Sequence, residues 1–370
     1  MNMDTLCKKI LWLACVLVIS TSVNAQEKVS KKISKTYAMT NAGELQLNNK
    51  YGNVNITGWD TDEIQLNVIV KVNHRKKETA DDLLKRITPV FRDSENFVSV
   101  GYEIAEKSDN WFANFFEKAN PFDYDRSNIQ IDYEILLPRK AELQLINTFG
   151  DIIIDEWTGK LKATVEHGDL FINENLNKAT IDMSYGKIRA QNISYGSIDL
   201  KNGALDLTDS KTLRINSTGS DIDLNQITSL ELYSNKDELI ISEVGSIYGN
   251  LKFTTIALDR LINSVDITLK IADFRIEKIA QKEADIAIEQ ESSEVSINVS
   301  GYSHRFAATL EQGLVRLPKS YKNVDSRVID KGKRIREINA DFGKNLDGKI
   351  NITGVKGLIL IKDMFPNSGK

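Results

Sequence analysis

Cysteine is almost missing from this chain. Of 370 residues only two are cysteines, Cys7 and Cys15. Beyond residue 15 no disulfide, thiol nucleophile or thiolate metal site can form. Histidine is nearly as scarce: His74, His167 and His304 stand isolated in sequence. No HExxH pattern and no His/carboxylate cluster occurs, which excludes the common zinc-hydrolase arrangement. Five prolines leave no room for a long proline-rich disordered segment. Forty-eight Lys and Arg stand against 52 Asp and Glu. That balance gives no basic footprint, so no nucleic-acid partner is expected. G-x-S-x-G, a P-loop and a dinucleotide fingerprint are missing too, and "GKNLDGK" (343–349) lacks the GK[ST] ending. The calcium-binding nonapeptide GGxGxDxUx does not occur. No cofactor and no metal site is therefore expected.

Long apolar runs are also lacking, with one exception. "ILWLACVLVIS" (10–20) follows Lys8 and Lys9 and precedes "SVNA" (22–25). The run falls short of the roughly 20 residues of a membrane span. It reads as a signal peptide over 1–25, cleaved after Ala25 to leave Gln26 first. Trp12, three before Cys15, argues against a lipoprotein signal there. No later segment approaches a membrane span. The mature product is expected to be exported: periplasmic, held at the outer envelope by a partner, or secreted.

What the chain has in abundance is alternation. From 141 to 301 short segments such as "ELQLINT", "KLKATVE", "SIDLKN", "TLRINS" and "SLELYS" alternate apolar and polar residues at period two, so each is a strand with one buried face. A glycine phrase recurs at Gly150, Gly168, Gly186, Gly203 and Gly219, at intervals of 18, 18, 17 and 16. A second series interleaves at Leu161, Ala179, Ile198, Leu213 and Leu230. A period of roughly 16 to 20 residues with two strands and two corners is that of a β-solenoid. An antiparallel sandwich would explain the alternation but not the near-constant interval. The expected fold is thus all-β, a β-solenoid of the right-handed β-helix kind with an N-terminal strand/helix cap region. Eight or nine coils are expected in 141–301, with Ile152, Leu170 and Ile188 in one interior column and glycines at corners of positive φ.

The flanks differ. Residues 26–140 read as a β-rich region with one short helix, "ETADDLLKRITPVF" (78–91), whose Leu83, Leu84 and Ile87 share a face. "IADFRIEKIAQKEADIAI" (271–288) is ambiguous between helix and strand. Residues 302–370 form a C-terminal β-rich region, in which "LDGKINITGVKGLILIKD" (346–363) repeats the early "YGNVNITGWD" (51–60).

"YGNVNITGWDTDEIQLNVIVKV", the strand "YEILLP" (133–138) and "FGDIIIDEWTGKLKA" (149–163) resemble the putative adhesin family of exported bacterial proteins, a domain of unknown function related to auto-transporter adhesin head domains. The resemblance covers 43 to about 300. It implies a β-solenoid on the envelope side of the membrane and implies no catalytic residues.

Three features are candidates for function. Asp151 and Asp169 occupy equivalent positions one repeat apart. They could share a proton, act as an acid/base pair or bind a cation, or each could hydrogen-bond backbone at a corner. His167 aligns with Phe149 and Tyr185 and reads as an aromatic-like corner filler. The insertion 109–124, "DNWFANFFEKANPFDY", holds Trp111, Phe112, Phe115, Phe116, Phe122 and Tyr124. It either caps an open end of the repeats or forms a contact site for a partner. The expected function is a non-enzymatic envelope protein, an adhesin or interaction scaffold, with an envelope protein or glycan as partner. The alternatives are a carbohydrate-active β-helix enzyme using clustered acids, and a structural or signalling component of the envelope.

Overall fold

The structure, a computed structural model, describes residues 27–74, 77–104 and 128–364. The expected signal peptide, 1–25, and the aromatic insertion, 109–124, lie outside the described residues. Two compact units are present. The smaller comprises residues up to 32, 69–88 and 103–131, the larger 33–68, 89–102 and 132–370.

In the smaller unit the helix is Lys77–Arg86, with Ala80 and Leu83 buried. It stops sooner than the apolar spacing predicts. Ile87 is buried, but as the first residue of the strand Ile87–Ser94. Pro89 is the reason: a proline disfavours helical geometry in the residue before it and lacks an N–H.

The larger unit is all-β among its described residues, and its strands join one continuous sheet. Strands 17 or 18 residues apart in sequence pair in parallel. Leu143 pairs with Leu161, and Leu161 with Ala179, each a step of 18 residues. From Ala179 the column runs through Gly196, Leu213, Leu230 and Ile247 in steps of 17. Ile198 instead pairs with Ile181, so the second sequence series is off by two at that point. Ile152, Leu170 and Ile188 stack as expected and are fully buried. The stretch 271–288 resolves as strands, Asp273–Ile276 and the start of Asp285–Glu291.

Between the two strand legs lies a corner, and here the expected mechanism holds in part. Gly150 (φ 129°) and Gly219 (φ 68°) have positive φ, but at Gly168, Gly186 and Gly203 the left-handed residue is the one before the glycine. His167, Tyr185, Asn202, Gly219, Lys236, Phe253, Ile271 and Ser292 have φ between 48° and 68°. Each turns its N–H to the next repeat: His167 donates to Ser184 O at 3.0 Å, Tyr185 to Lys201 O at 3.0 Å and Asn202 to Thr218 O at 2.9 Å. The kink redirects the chain without interrupting the ladder. Gly219 belongs to this column, one place earlier than the other glycines, which explains its interval of 16. Gly168 and Gly186 are required for another reason. A Cβ on Gly168 would lie 2.0 Å from Gly150 O, and one on Gly186 1.9 Å from Gly168 O. Backbone stacks on backbone there.

Ile271 is a β-branched residue held left-handed and half exposed, which costs about 1–2 kcal/mol relative to a residue that tolerates that region. Ile271→Asn is expected to raise the midpoint of thermal unfolding by a few degrees, read by circular dichroism. No change or a fall would contradict the strain.

Both ends of the larger unit are threaded out of sequence order. Strands Glu44–Tyr51 and Val54–Trp59 lie between the repeat that uses Phe97–Ile104 and Ile129–Pro138 and the repeat beginning at Glu142. At the other end Gly348–Val355 lies between Asp285–Glu291 and His304–Glu311. Likewise Leu358–Lys362 lies between Glu294–Asn298 and Leu314–Arg316. Both similar phrases noted in the sequence are thus inserted between other strands, but on different legs: Val54–Trp59 stacks on Ile152–Asp155, whereas Gly348–Val355 stacks on Asp285–Glu291. Beyond His304–Glu311 two antiparallel strands, Ile335–Phe342 and Lys322–Asp330, extend one leg of the sheet.

Candidate functional site

The six aromatics from Trp111 to Tyr124 lie outside the described residues. Asp151 and Asp169 are linked by a hydrogen bond from backbone to side chain. Asn53 Oδ1 accepts the Asp151 N–H at 2.9 Å, Asp151 Oδ1 accepts the Asp169 N–H at 2.9 Å, and Asp169 Oδ1 accepts the Lys187 N–H at 2.8 Å. These side chains tie each corner to the next. Such a use fits Asp at a corner, where a short acceptor satisfies a donor that the turning ladder leaves over. His167 is a ring in a stack. Its centroid lies 5.1 Å from Phe149 and 4.8 Å from Tyr185, with planes within 8°. Tyr51 extends the stack at 5.7 Å from Phe149. His74 ends the strand Glu63–His74.

His304 is wholly buried in a box of Tyr302, Tyr321 and Phe342. Its Nδ1 lies 2.7 Å from Tyr302 O, so it donates there. Nε2, 2.6 Å from Tyr321 Oη, then accepts the phenol proton. Burial pushes its pKa down to about 4 and raises that of Tyr321. The unfolded chain binds the proton near pH 6.5, so falling pH favours unfolding between the two values. The box is fully effective above about pH 6.5 and loses roughly 3 kcal/mol by about pH 4. His304→Gln is expected to flatten that part of the stability profile relative to wild type. Parallel profiles in urea melts would contradict the assignment. This is a structural histidine.

The richest outward cluster lies on the leg that precedes the left-handed corner. Arg214, Glu231 and Tyr248 are paired across three successive strands and point outward, because their neighbours Leu213, Leu230 and Ile247 point in. Tyr233, two residues beyond Glu231, joins them. Tyr233 Oη donates to Glu231 Oε1 at 3.0 Å, and Tyr248 Oη to Glu231 Oε2 at 3.4 Å. The Arg214 guanidinium lies 5.5 Å from the Tyr233 ring centroid and 3.9 Å from Glu231. The bond to Glu231 raises the Tyr233 pKa. One carboxylate thus orients two phenols while an arginine stacks on one of them. Such a cluster can offer ring faces for stacking and polar atoms for hydrogen bonding. Asn216, bonded to Asp199 at 2.9 Å, and Asn250 flank Tyr233 in the next column. Sequence reading did not single these residues out. A signal existed: 214, 231 and 248 are 17 apart, but it becomes visible only once the register is known.

No described helix is long and apolar enough to cross a membrane. Comparison of the chain with protein families and with curated proteins gives no match. Solved structures share a distant likeness. A putative adhesin from Parabacteroides merdae is 9% identical, with a TM-score of 0.36, over 72% of this chain and 92% of its own. A putative adhesin from Parabacteroides distasonis is 9% identical at a TM-score of 0.32, over 88% and 97%. A putative lipid binding protein from the same species is 10% identical at 0.27, over 90% and 97%.

Proposed function

We propose that this chain is a non-enzymatic exported envelope protein, an adhesin or interaction scaffold that binds an envelope glycan or protein along an outer face of its repeats. The parallel repeats wind in this reading as a β-solenoid. The parallel register at near-constant steps supports the winding, and parallel crossovers in one sheet are right-handed as a rule. The observation that carries the function is the Arg214–Glu231–Tyr233–Tyr248 cluster. Aromatic rings and a guanidinium are held in place by hydrogen bonds on a sheet face rather than on a loop, so little entropy is lost when they bind. Carbohydrate faces and protein partners both use such rings. The aromatic segment 109–124 is proposed as a second contact region. The experiment is a glycan array and an envelope-extract pull-down with the mature chain. Tyr233→Ala with Tyr248→Ala is expected to abolish the captured ligand while the melting curve holds. Capture unchanged by that double variant would overturn the reading.

A further inference from the structure

The C-terminal end of the repeats is a step rather than a flat edge. One leg continues from His304–Glu311 into Ile335–Phe342 and Lys322–Asp330. The other stops at Leu314–Arg316, which pairs with Leu358–Lys362 on one side. Among the described residues no strand pairs with its other side. Within this step lies a cavity of about 610 Å³, in the range of small-ligand sites. Its apolar wall includes Leu314, 64% exposed, and Val328, 50% exposed, with Val315 and Ile338 deeper.

The charged residues lining it are all cations: Lys331, Arg334 and Arg336. Two of the hairpin's acids are used elsewhere. Glu337 alternates to the opposite face and pairs with Arg327. Asp330 Oδ1 accepts the Lys333 N–H at 3.0 Å. Arg336 donates to Ser326 Oγ at 3.2 Å. The chain as a whole carries a net charge of −4, so a cavity with cations and no carboxylate departs from the average.

We propose that this cavity binds an amphipathic anion: an extended apolar chain against Leu314, Val315, Val328 and Ile338, its anionic head between Lys331 and Arg334. Charge selects this occupant over a second copy of the chain. A two-fold contact would place the same three cations of each copy against one another. An apolar tail alone would leave the cations without a counterpart, and a free anion would leave the apolar wall wet. The head group could come from a free acyl acid or from a lipid surface; the proposal is the free molecule, and the vesicle arm of the test separates the two.

The test is calorimetric titration of the mature chain with dodecanoate below its micelle concentration. Dodecyltrimethylammonium and inorganic phosphate serve as controls. One dodecanoate per chain is expected, with no binding of either control. Lys331→Glu with Arg334→Glu should weaken dodecanoate at least about tenfold. Leu314→Asp should do the same, with unchanged melting curves, since all three side chains are exposed. Equal affinity for the cationic amphiphile, binding of phosphate alone, or indifference to both variants would overturn the proposal. So would a dimer in light scattering that the charge-reversal variant converts to monomer. Co-sedimentation with phosphatidylglycerol vesicles, without binding of monomeric dodecanoate, would also overturn it in favour of a membrane contact. Loss of glycan or protein capture at Tyr233 and Tyr248 is read separately.

Discussion

A chain that ends at Asn345 is expected to lose its cooperative unfolding transition and to recover it when a peptide of residues 346–364 is added. Strands Gly348–Val355 and Leu358–Lys362 each lie between two earlier strands. Their removal opens a slot two strand spacings wide, roughly 9.6 Å. It also removes Ile350, Ile352, Ile359 and Ile361, all at most 5% exposed. At about 1.5–3 kcal/mol for each buried isoleucine, the loss is comparable to the roughly 5–15 kcal/mol that stabilises a whole domain. Both slot edges keep unpaired N–H and C=O groups, which a peptide of the native sequence satisfies in register. The measurement is thermal unfolding with dye binding to exposed apolar surface. A peptide carrying Ile350→Asp and Ile359→Asp should fail to rescue. A truncated chain that melts like the full one would show that the inserted strands are not needed to close the ladder.

Gly168→Ala is expected to destabilise the protein by about 3 kcal/mol or more, and Gly168→Val to be little worse. Gly168 is not left-handed, so backbone strain is not the cause. The first added carbon meets Gly150 O at 2.0 Å. That oxygen belongs to the neighbouring corner and cannot retreat without shifting the ladder. The left-handed neighbour His167 has φ 55°, so His167→Gly relieves strain while removing one ring from the Phe149–Tyr185 stack. It should change stability by at most about 1 kcal/mol. Urea unfolding of the three variants separates the causes. If Gly168→Ala is mild and Gly168→Val severe, the close backbone approach is not what demands glycine here.

The amino-acid sequence by itself determined the strands, their inward faces and the period. Alternation at period two is a local property, and matching phrases recur because each repeat must bury the same side chains. The 18-residue step and the column Ile152–Leu170–Ile188 could be read directly for that reason. The stack of Phe149, His167 and Tyr185 could too. What sequence patterns blurred was any position where register slips by one or two residues. Gly219 looks like the other corner glycines but stands one place earlier, and Ile198 looks like the partner of Ala179 but faces Ile181. The apolar stripe of 78–91 reads longer than the helix itself, because it continues past Arg86 into a strand that keeps Ile87 buried.

Only the tertiary structure decided the order in which the outer repeats stack. "YGNVNITGWD" and "GKINITGVKG" look like ordinary repeats, yet each is inserted between two others, since pairing depends on free edges rather than on chain order. The cluster at Arg214, Glu231, Tyr233 and Tyr248, and the cationic step at Lys331 and Arg334, were hidden for the same reason. Outward polar residues follow no burial pattern. Their proximity comes from hydrogen-bonded register between strands, and that register is a property of the folded ladder.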